Sequence, residues 1–161
     1  MLTIIEATHQ HLDAIWEIFH AVVKKGDTYV YSPDISKQAA LNTWFNNELT
    51  TFVALNDGVV VGTYIIKPNF PALGSHIANC SYMVSEHARG LGVGKAMGKH
   101  SLEYAKNKGY IGMQFNIVVS TNEPAVKLWQ ALGFKIIGTT PNGFKHQEKG
   151  YVDTYIMYQA L

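Results

Sequence analysis

Three glycines alternate at Gly90, Gly92 and Gly94, with Arg89 before them and Lys95 after, and a helical apolar pattern begins at once. Residues of these types at this spacing suit the grip of an anion. Glycine reaches positive φ without strain and lets a ligand approach the backbone closely. The successive N–H groups of Leu91, Gly92, Val93, Gly94 and Lys95 can converge on one phosphate, with the positive end of a helix behind them. Two familiar nucleotide motifs are excluded. The fingerprint G-x-G-x-x-G would need glycine where Lys95 or Met97 stands. The loop G-x-x-x-x-G-K-[ST] would need glycine at Arg89 and a hydroxyl at Ala96. What remains is R-G-x-G-x-G at a strand-to-helix junction.

The elements that must hold this turn are readable from periodicity. "LTIIEA" is a strand. Thr8 caps a helix through "HLDAIWEIFHAVVKK", where Leu12, Ile15, Trp16, Phe19 and Val23 fall at helical spacing, and Gly26 stops it. "GDTYVYSPD" is a loop, and Ser36 caps a second helix in "SKQAALNTWFNNE". "TFVAL" and "VVVGTYIIK" flank "NDG", a hairpin signal. After the loop "KPNFPALG" come the strand "SHIANCSYMV", the helix "GVGKAMGKHSLEYAKNK" ended by Gly109, and the buried strand "IGMQFNIVV". Asn122 caps the helix "NEPAVKLWQAL", with Pro124 in its first turn and Gly133 at its end. "FKIIGTT" and "GYVDTYIMYQAL" are two last strands separated by a polar loop. The order predicts an α/β (α+β) fold in which helices cover a mixed sheet, as one domain over residues 1–161.

Composition bounds the function. A 47% hydrophobic, 16% charged chain of 161 residues fits one soluble globular domain with a sizeable core. A formal net charge of +1 gives no general field for nucleic acid or an anionic membrane. The lone Cys80 forbids an internal disulfide and favours a cytoplasmic location. Glu6, Asp13 and Glu17 stand where a signal peptide would be apolar, and the apolar run "VVVGTYII" is too short to span a bilayer. His76, His87, His100 and His146 show no metal spacing, so no metal is expected and these histidines read as solvated.

The turn with its flanking strand and helix resembles the acetyl-coenzyme A signature of the GNAT family of N-acetyltransferases. Downstream, "TNEPAVKLWQALGFKIIG" is similar to that family's N-x-x-A-x-x-L-[YW]-x-x-x-G-F segment, with Asn122, Ala125, Leu128, Gly133 and Phe134 at the matching positions. The resemblance implies the GNAT fold: a mostly antiparallel sheet of about seven strands with about four helices, splayed between the fourth and fifth strands. It implies acetyl-CoA as co-substrate, with its pyrophosphate on residues 89–95 and its pantetheine arm between the splayed strands. Ala125, Leu128 and Trp129 belong to that binding region. A backbone N–H at Met83 or Val84 would polarise the thioester carbonyl.

Two departures sharpen the reading. Many relatives carry a Glu on the fourth strand, whereas "SHIANCSYMV" has no carboxylate. Asn79, Ser81 and Met83 would share one face, with Cys80, Tyr82 and Val84 on the other. Asn79 is then the candidate to orient the amine or a water. The usual acidic Tyr is replaced by Trp129, whose indole is a donor but not a practical acid, so Trp129 reads as core or as a wall of the arm's channel. These features resemble fungal N-acetyltransferases that act on proline analogues such as azetidine-2-carboxylate. That resemblance implies that Asn79 and Asn116 position the substrate nitrogen and that Asn122 is a site residue. Asn116, inside an apolar strand, needs a polar partner. The family places its acceptor site between the first two helices, so Thr28, Tyr29 and Tyr31 are expected to line it. Cys80 reads as a small buried hydrophobe. The partner expected is a small-molecule amine, an amino or imino acid included. A protein or peptide acceptor and a non-catalytic acetyl-CoA-binding module are the alternatives. A homodimer through the last strands is expected, as in many relatives.

Overall fold

The computed structural model describes all residues from Met1 to Leu161. Its elements are β1 Leu2–Glu6, α1 Leu12–Lys24, α2 Lys37–Trp44, β2 Thr50–Asn56, β3 Val59–Pro68, β4 Ile77–Val84, α3 Val93–Asn107, β5 Gly112–Val119, α4 Glu123–Ala131, β6 Lys135–His146 and β7 Gly150–Ala160. One sheet runs β1-β2-β3-β4-β5-β7-β6. Every neighbouring pair is antiparallel except β4 and β5, which are parallel and joined across α3. The predicted order of strands and helices is the observed one.

Local chemistry sets the ends. Asp57 and Gly58 both take positive φ (48° and 85°) and turn β2 into β3, as "NDG" predicts. Ser36 accepts a hydrogen bond from the Ala39 N–H at 3.2 Å and caps α2. Gly26, Gly109 and Gly133 leave the helices at positive φ.

Four expectations are corrected. A 3-10 turn over His9–His11 stands between Thr8 and α1; the Thr8 N–H donates to His11 Nδ1 at 2.9 Å, and the α-helix starts at Leu12. The segment read as a polar loop after "FKIIGTT" is mostly strand. β6 runs on to His146, with an irregularity between Thr140 and Phe144 that admits Pro141 and Gly143, and only Gln147–Lys149 turns. His146 is not solvated: it is buried, and its Nδ1 accepts the N–H groups of Glu148 and Lys149 at 3.0 and 3.1 Å. His100 is half-buried against the Tyr64 hydroxyl at 2.7 Å, and burial holds its imidazole below the usual range.

The sheet separates two apolar layers. On one face α1 and α2 bury Ile15, Phe19, Val23 and Trp44 against Val53, Ile65 and Met83. Trp44 Nε1 donates to Thr63 Oγ1 at 3.0 Å, so the largest side chain of this layer carries no orphaned donor. On the other face α3 and α4 bury Val93, Met97 and Trp129 against Tyr64, Cys80, Met113, Phe115 and Met157. The predicted alternation on β4 holds, with Cys80 in one layer and Met83 in the other.

Candidate active site

The sheet opens at its one parallel junction. β4 and β5 pair only at Ile77–Gly112 and Ala78–Met113, and beyond these residues the strands diverge. β5 bulges between Phe115 and Val118 where it meets β7, which bends it away from β4. The gap exposes a row of backbone groups on β4. Asn69 N–H donates to the Ile77 carbonyl at 2.8 Å and Ser85 N–H to the Val61 carbonyl at 2.9 Å, so odd-numbered residues of β4 bond toward β3. Successive strand residues aim at opposite edges. The N–H groups of Cys80, Tyr82 and Val84 therefore face the gap. Of the two residues expected to polarise a carbonyl, Met83 turns its N–H toward β3 and Val84 turns its own into the opening.

Two side chains stand in for the missing strand partner. The Tyr29 hydroxyl accepts the Tyr82 N–H at 2.9 Å and donates to the Tyr82 carbonyl. Burial pushes the Tyr29 phenol far above its ordinary range, so it stays protonated and remains a donor. Asn79 Nδ2 donates to the Gln114 carbonyl of β5 at 2.9 Å and bridges the gap where pairing stops. That bond fixes the amide orientation: Nδ2 faces β5, and Oδ1 has no protein partner.

A cavity of about 400 Å³ fills the opening. From the α1–α2 side it is lined by Thr28, Tyr29, Tyr31, Ile65, Asn79 and Met83, and from the α3–α4 side by Tyr82, Phe115, Asn122, Ala125 and Trp129. Val84 and Asn116 line it as well. It thus passes through the sheet from one layer to the other. Its wall includes one charged side chain, Lys67, and neither a carboxylate nor an imidazole. Trp129 packs on Tyr82 and Phe115, with ring centroids 4.7 and 4.9 Å away, and forms part of the cavity wall. Cys80 is buried, and burial pushes its thiol up to about 12, so it is inert near neutral pH.

Two amides differ from expectation. Asn116 is exposed rather than enclosed in apolar strand: the β5 bulge turns it outward, where its Nδ2 donates to Asn69 Oδ1 at 2.7 Å and its Oδ1 accepts from Gln114 Nε2 at 3.1 Å. Asn122, expected both to cap α4 and to be a site residue, stands at the start of α4 without a side-chain capping bond, and it lines the cavity.

The glycine turn lies at the α3 end of the same region. Gly90 and Gly92 take φ of 81° and 72°, and a Cβ on either would meet nothing within 4 Å, so it is the backbone conformation that asks for glycine there. Gly92 opens α3 without a side-chain cap. The N–H groups of Gly92, Val93, Gly94 and Lys95 have no partner in the protein, whereas Leu91, expected to join them, spends its N–H on the Ala88 carbonyl at 3.3 Å. Gly94 lies where a Cβ would sit 3.3 Å from Leu128 Cδ2, so Leu128 packs under the turn rather than on the large cavity. Arg89 lines a smaller neighbouring cavity of about 120 Å³ that shares Val22 and Val84 with the large one.

The sequence reading missed Asn69, Gln114 and Lys67. Gln114 and Asn116 alternate about Phe115, a signal that they share a face. Asn69, in the connection after β3, and Lys67 carry no local signal. No group of three or more His, Cys, Asp or Glu is placed to hold a metal, and no helix is long and apolar enough to cross a membrane.

Comparison with known proteins agrees with this fold. A GCN5-related N-acetyltransferase from Kribbella flavida superposes with a TM-score of 0.95 at 40% identity, covering 99% of this chain and 98% of that one. A phosphinothricin acetyltransferase from Sinorhizobium meliloti, solved with AcCoA, shares the fold with a TM-score of 0.87 at 24% identity, over 99% of this chain and 88% of its own. The N-acetyltransferase aca1 of Schizosaccharomyces pombe is 36% identical over 98 residues, which are 60% of this chain and 47% of that protein, so this chain spans about half the length of that relative. Residues 10–134 match the model of the acetyltransferase (GNAT) family, and the chain belongs to that family.

Proposed function

We propose that the protein is an acetyl-CoA-dependent N-acetyltransferase for small-molecule amines, amino and imino acids foremost. The observation that carries this reading is the cavity that crosses the sheet at the β4–β5 gap. The residues present suit the co-substrate. The four unpartnered N–H groups from Gly92 to Lys95, with Arg89 and Lys95 beside them, meet a pyrophosphate. The part of the β4 edge that Tyr29 does not cap meets the amide-bearing arm, with Trp129, Ala125 and Asn122 as its wall. Acetyl-CoA supplies an activated thioester; the C–N bond forms, the C–S bond breaks, and the coenzyme leaves as thiolate.

The chain's own groups orient this exchange. Val84 N–H, aimed into the gap, is the donor for the carbonyl oxygen on which charge develops. Asn79 Oδ1, free of protein partners, accepts from the N–H of the acceptor. Asn116 is held by Asn69 and Gln114 as a second polar point at the rim. Thr28, Tyr29 and Tyr31 enclose the acceptor side. The wall offers no base that titrates near neutrality, since Cys80 and Tyr29 are both pushed upward. The acceptor's proton therefore passes to water, and positioning supplies the rate, an effect that can be worth several kcal/mol of barrier. A thiolate of pKa about 8.5 leaves without a dedicated acid, in keeping with Trp129 in that place.

The volume suits a small acceptor, since small-molecule pockets commonly hold about 300–1,000 Å³. The test is release of free CoA with a panel of amino acids, cyclic imino acids, polyamines and peptides. Small amines are expected to react faster than peptides. Reaction with peptides alone would make the protein a peptide acetyltransferase, and acetyl-CoA binding without CoA release from any amine would make it a binding module.

A further inference from the structure

We propose that Lys67 binds a carboxylate on the acceptor and that the acceptor is accordingly an amino or imino acid rather than a simple amine. The inference rests on the small-molecule reading above and names which small molecules it admits.

The cavity wall has 22 residues, and Lys67 is the one that carries a charge. Its ammonium joins none of the protein's ion pairs, which involve Met1–Asp57, Lys25–Glu86, Lys37–Asp13 and His87–Glu86. It makes no hydrogen bond to the protein either; its neighbours on the wall include no acidic side chain. A cation without a counter-ion at a ligand cavity is a place for an anionic group of the ligand.

Its position relative to Asn79 gives the anion a geometry. Lys67 of β3 lies directly opposite Asn79 of β4 in the antiparallel register. Opposed residues project from the same face with Cβ atoms about 5 Å apart. That face is the one over which Thr28, Tyr29 and Tyr31 close. A ligand nitrogen on Asn79 Oδ1 and a ligand carboxylate on Lys67 Nζ are then held by adjacent side chains. An α-amino or α-imino acid carries these two groups on one carbon, and the short Asn and long Lys reach them from neighbouring strands.

Charge selects in the same direction. Free amines arrive mostly as ammonium ions at neutral pH, since the lysine reference is about 10.4. A simple amine or polyamine brings only positive charge to a cavity whose one fixed charge is already positive. A zwitterion brings its own neutralising group, and a carboxylate on Lys67 cancels the charge that would otherwise repel the nitrogen.

The experiment compares amino acids and cyclic imino acids, L-proline and azetidine-2-carboxylate among them, with their carboxamides, in the wild-type protein and in Lys67→Met, Lys67→Arg and Lys67→Glu. Lys67 is exposed, and methionine keeps the apolar stem. The wild type should prefer acids to amides by roughly tenfold or more in kcat/KM, mainly through KM, as suits one charge-assisted hydrogen bond. Lys67→Met should erase that preference by raising KM for the acids more than it lowers kcat. Lys67→Arg should retain part of it, and Lys67→Glu should turn it toward amides and polyamines. CoA affinity by calorimetry serves as the control for folding. Equal rates for acids and amides in the wild type, or an undiminished preference in Lys67→Met, would overturn the role of Lys67 while leaving the acetyltransferase reading intact. If no acceptor releases CoA, that reading fails first. Calorimetric binding of the same acids and amides to the protein–CoA complex then decides Lys67: an acid preference lost in Lys67→Met supports it, and no preference overturns it.

Discussion

Between Gly90 and Lys95 everything an anion requires lies within one short run of sequence, and it is mostly backbone. The side of the cavity proposed for the acceptor is built the other way. Thr28, Tyr29 and Tyr31 come from the α1–α2 connection, Lys67 from β3, Asn79 from β4 and Asn116 from β5. The first site depends on φ angles and a helix end, which glycine placement dictates. The second depends on strand register and on where a sheet splits. The difference teaches which half of a site tolerates change: a backbone cradle is blocked by adding a side chain, whereas a side-chain cluster is lost by removing one.

The largest expected effect tests the cradle. Gly92→Glu puts a carboxylate beside the four free N–H groups and Gly94→Glu presses a side chain onto Leu128 beneath them. In both, CoA affinity should fall, by about a hundredfold or more for Gly92→Glu through repulsion and blocked approach. Circular dichroism should show the fold retained, since a residue at the φ of Gly92 costs only about 1–2 kcal/mol. Unchanged affinity in both variants would place the pyrophosphate elsewhere.

Removing a side chain should hurt the other half differently. Asn79→Ala should lower kcat by roughly 10- to 1000-fold with CoA affinity little changed, because one positioning contact is lost. The Gln114 contact adds a finer expectation. Asn79→Asp would set a carboxylate oxygen against the Gln114 carbonyl, so aspartate should not rescue the alanine variant at neutral or high pH despite being a base. Wild-type kinetics for Asn79→Ala would remove Asn79 from the chemistry.

Tyr29→Phe is expected to act through the fold. It leaves the Tyr82 N–H and carbonyl without a partner at the gap, which should cost about 1–3 kcal/mol of stability, read by denaturant unfolding. Full stability would mean that water replaces the hydroxyl. The smallest effect is expected at Trp129. Trp129→Phe should keep turnover within about tenfold, with loss through packing on Tyr82 and Phe115, whereas a lost acid or base typically costs more, about 100- to 10,000-fold.

The same contrast explains what the sequence made legible. The glycine turn, the "NDG" hairpin and the order of elements depend on contacts near in sequence, and each appears where it was expected. From its local sequence alone Asn122 reads as a cap; only the family resemblance marks it as a site residue, because nothing local says that its side chain turns to a cavity. Asn116 reads as buried because the bulge that exposes it depends on β7, some forty residues on in sequence. The Tyr29–Tyr82 contact joins residues 53 apart, and no periodicity announces it. Lys67 looks like any strand-end lysine until its register with Asn79 is known.

The division into two halves meeting at one gap is tested most directly by amide resonances in a stepwise titration. CoA added first should shift the backbone signals of Val84 and Gly92–Lys95 and leave the side-chain amide of Asn79 nearly unmoved. The fastest acceptor of the panel, added next, should shift the Asn79 side chain and the signals of Thr28, Tyr29 and Tyr31 while CoA stays bound. If the acceptor displaces CoA, or if CoA moves the Thr28–Tyr31 signals and not those of Gly92–Lys95, the two halves are not where the sheet puts them.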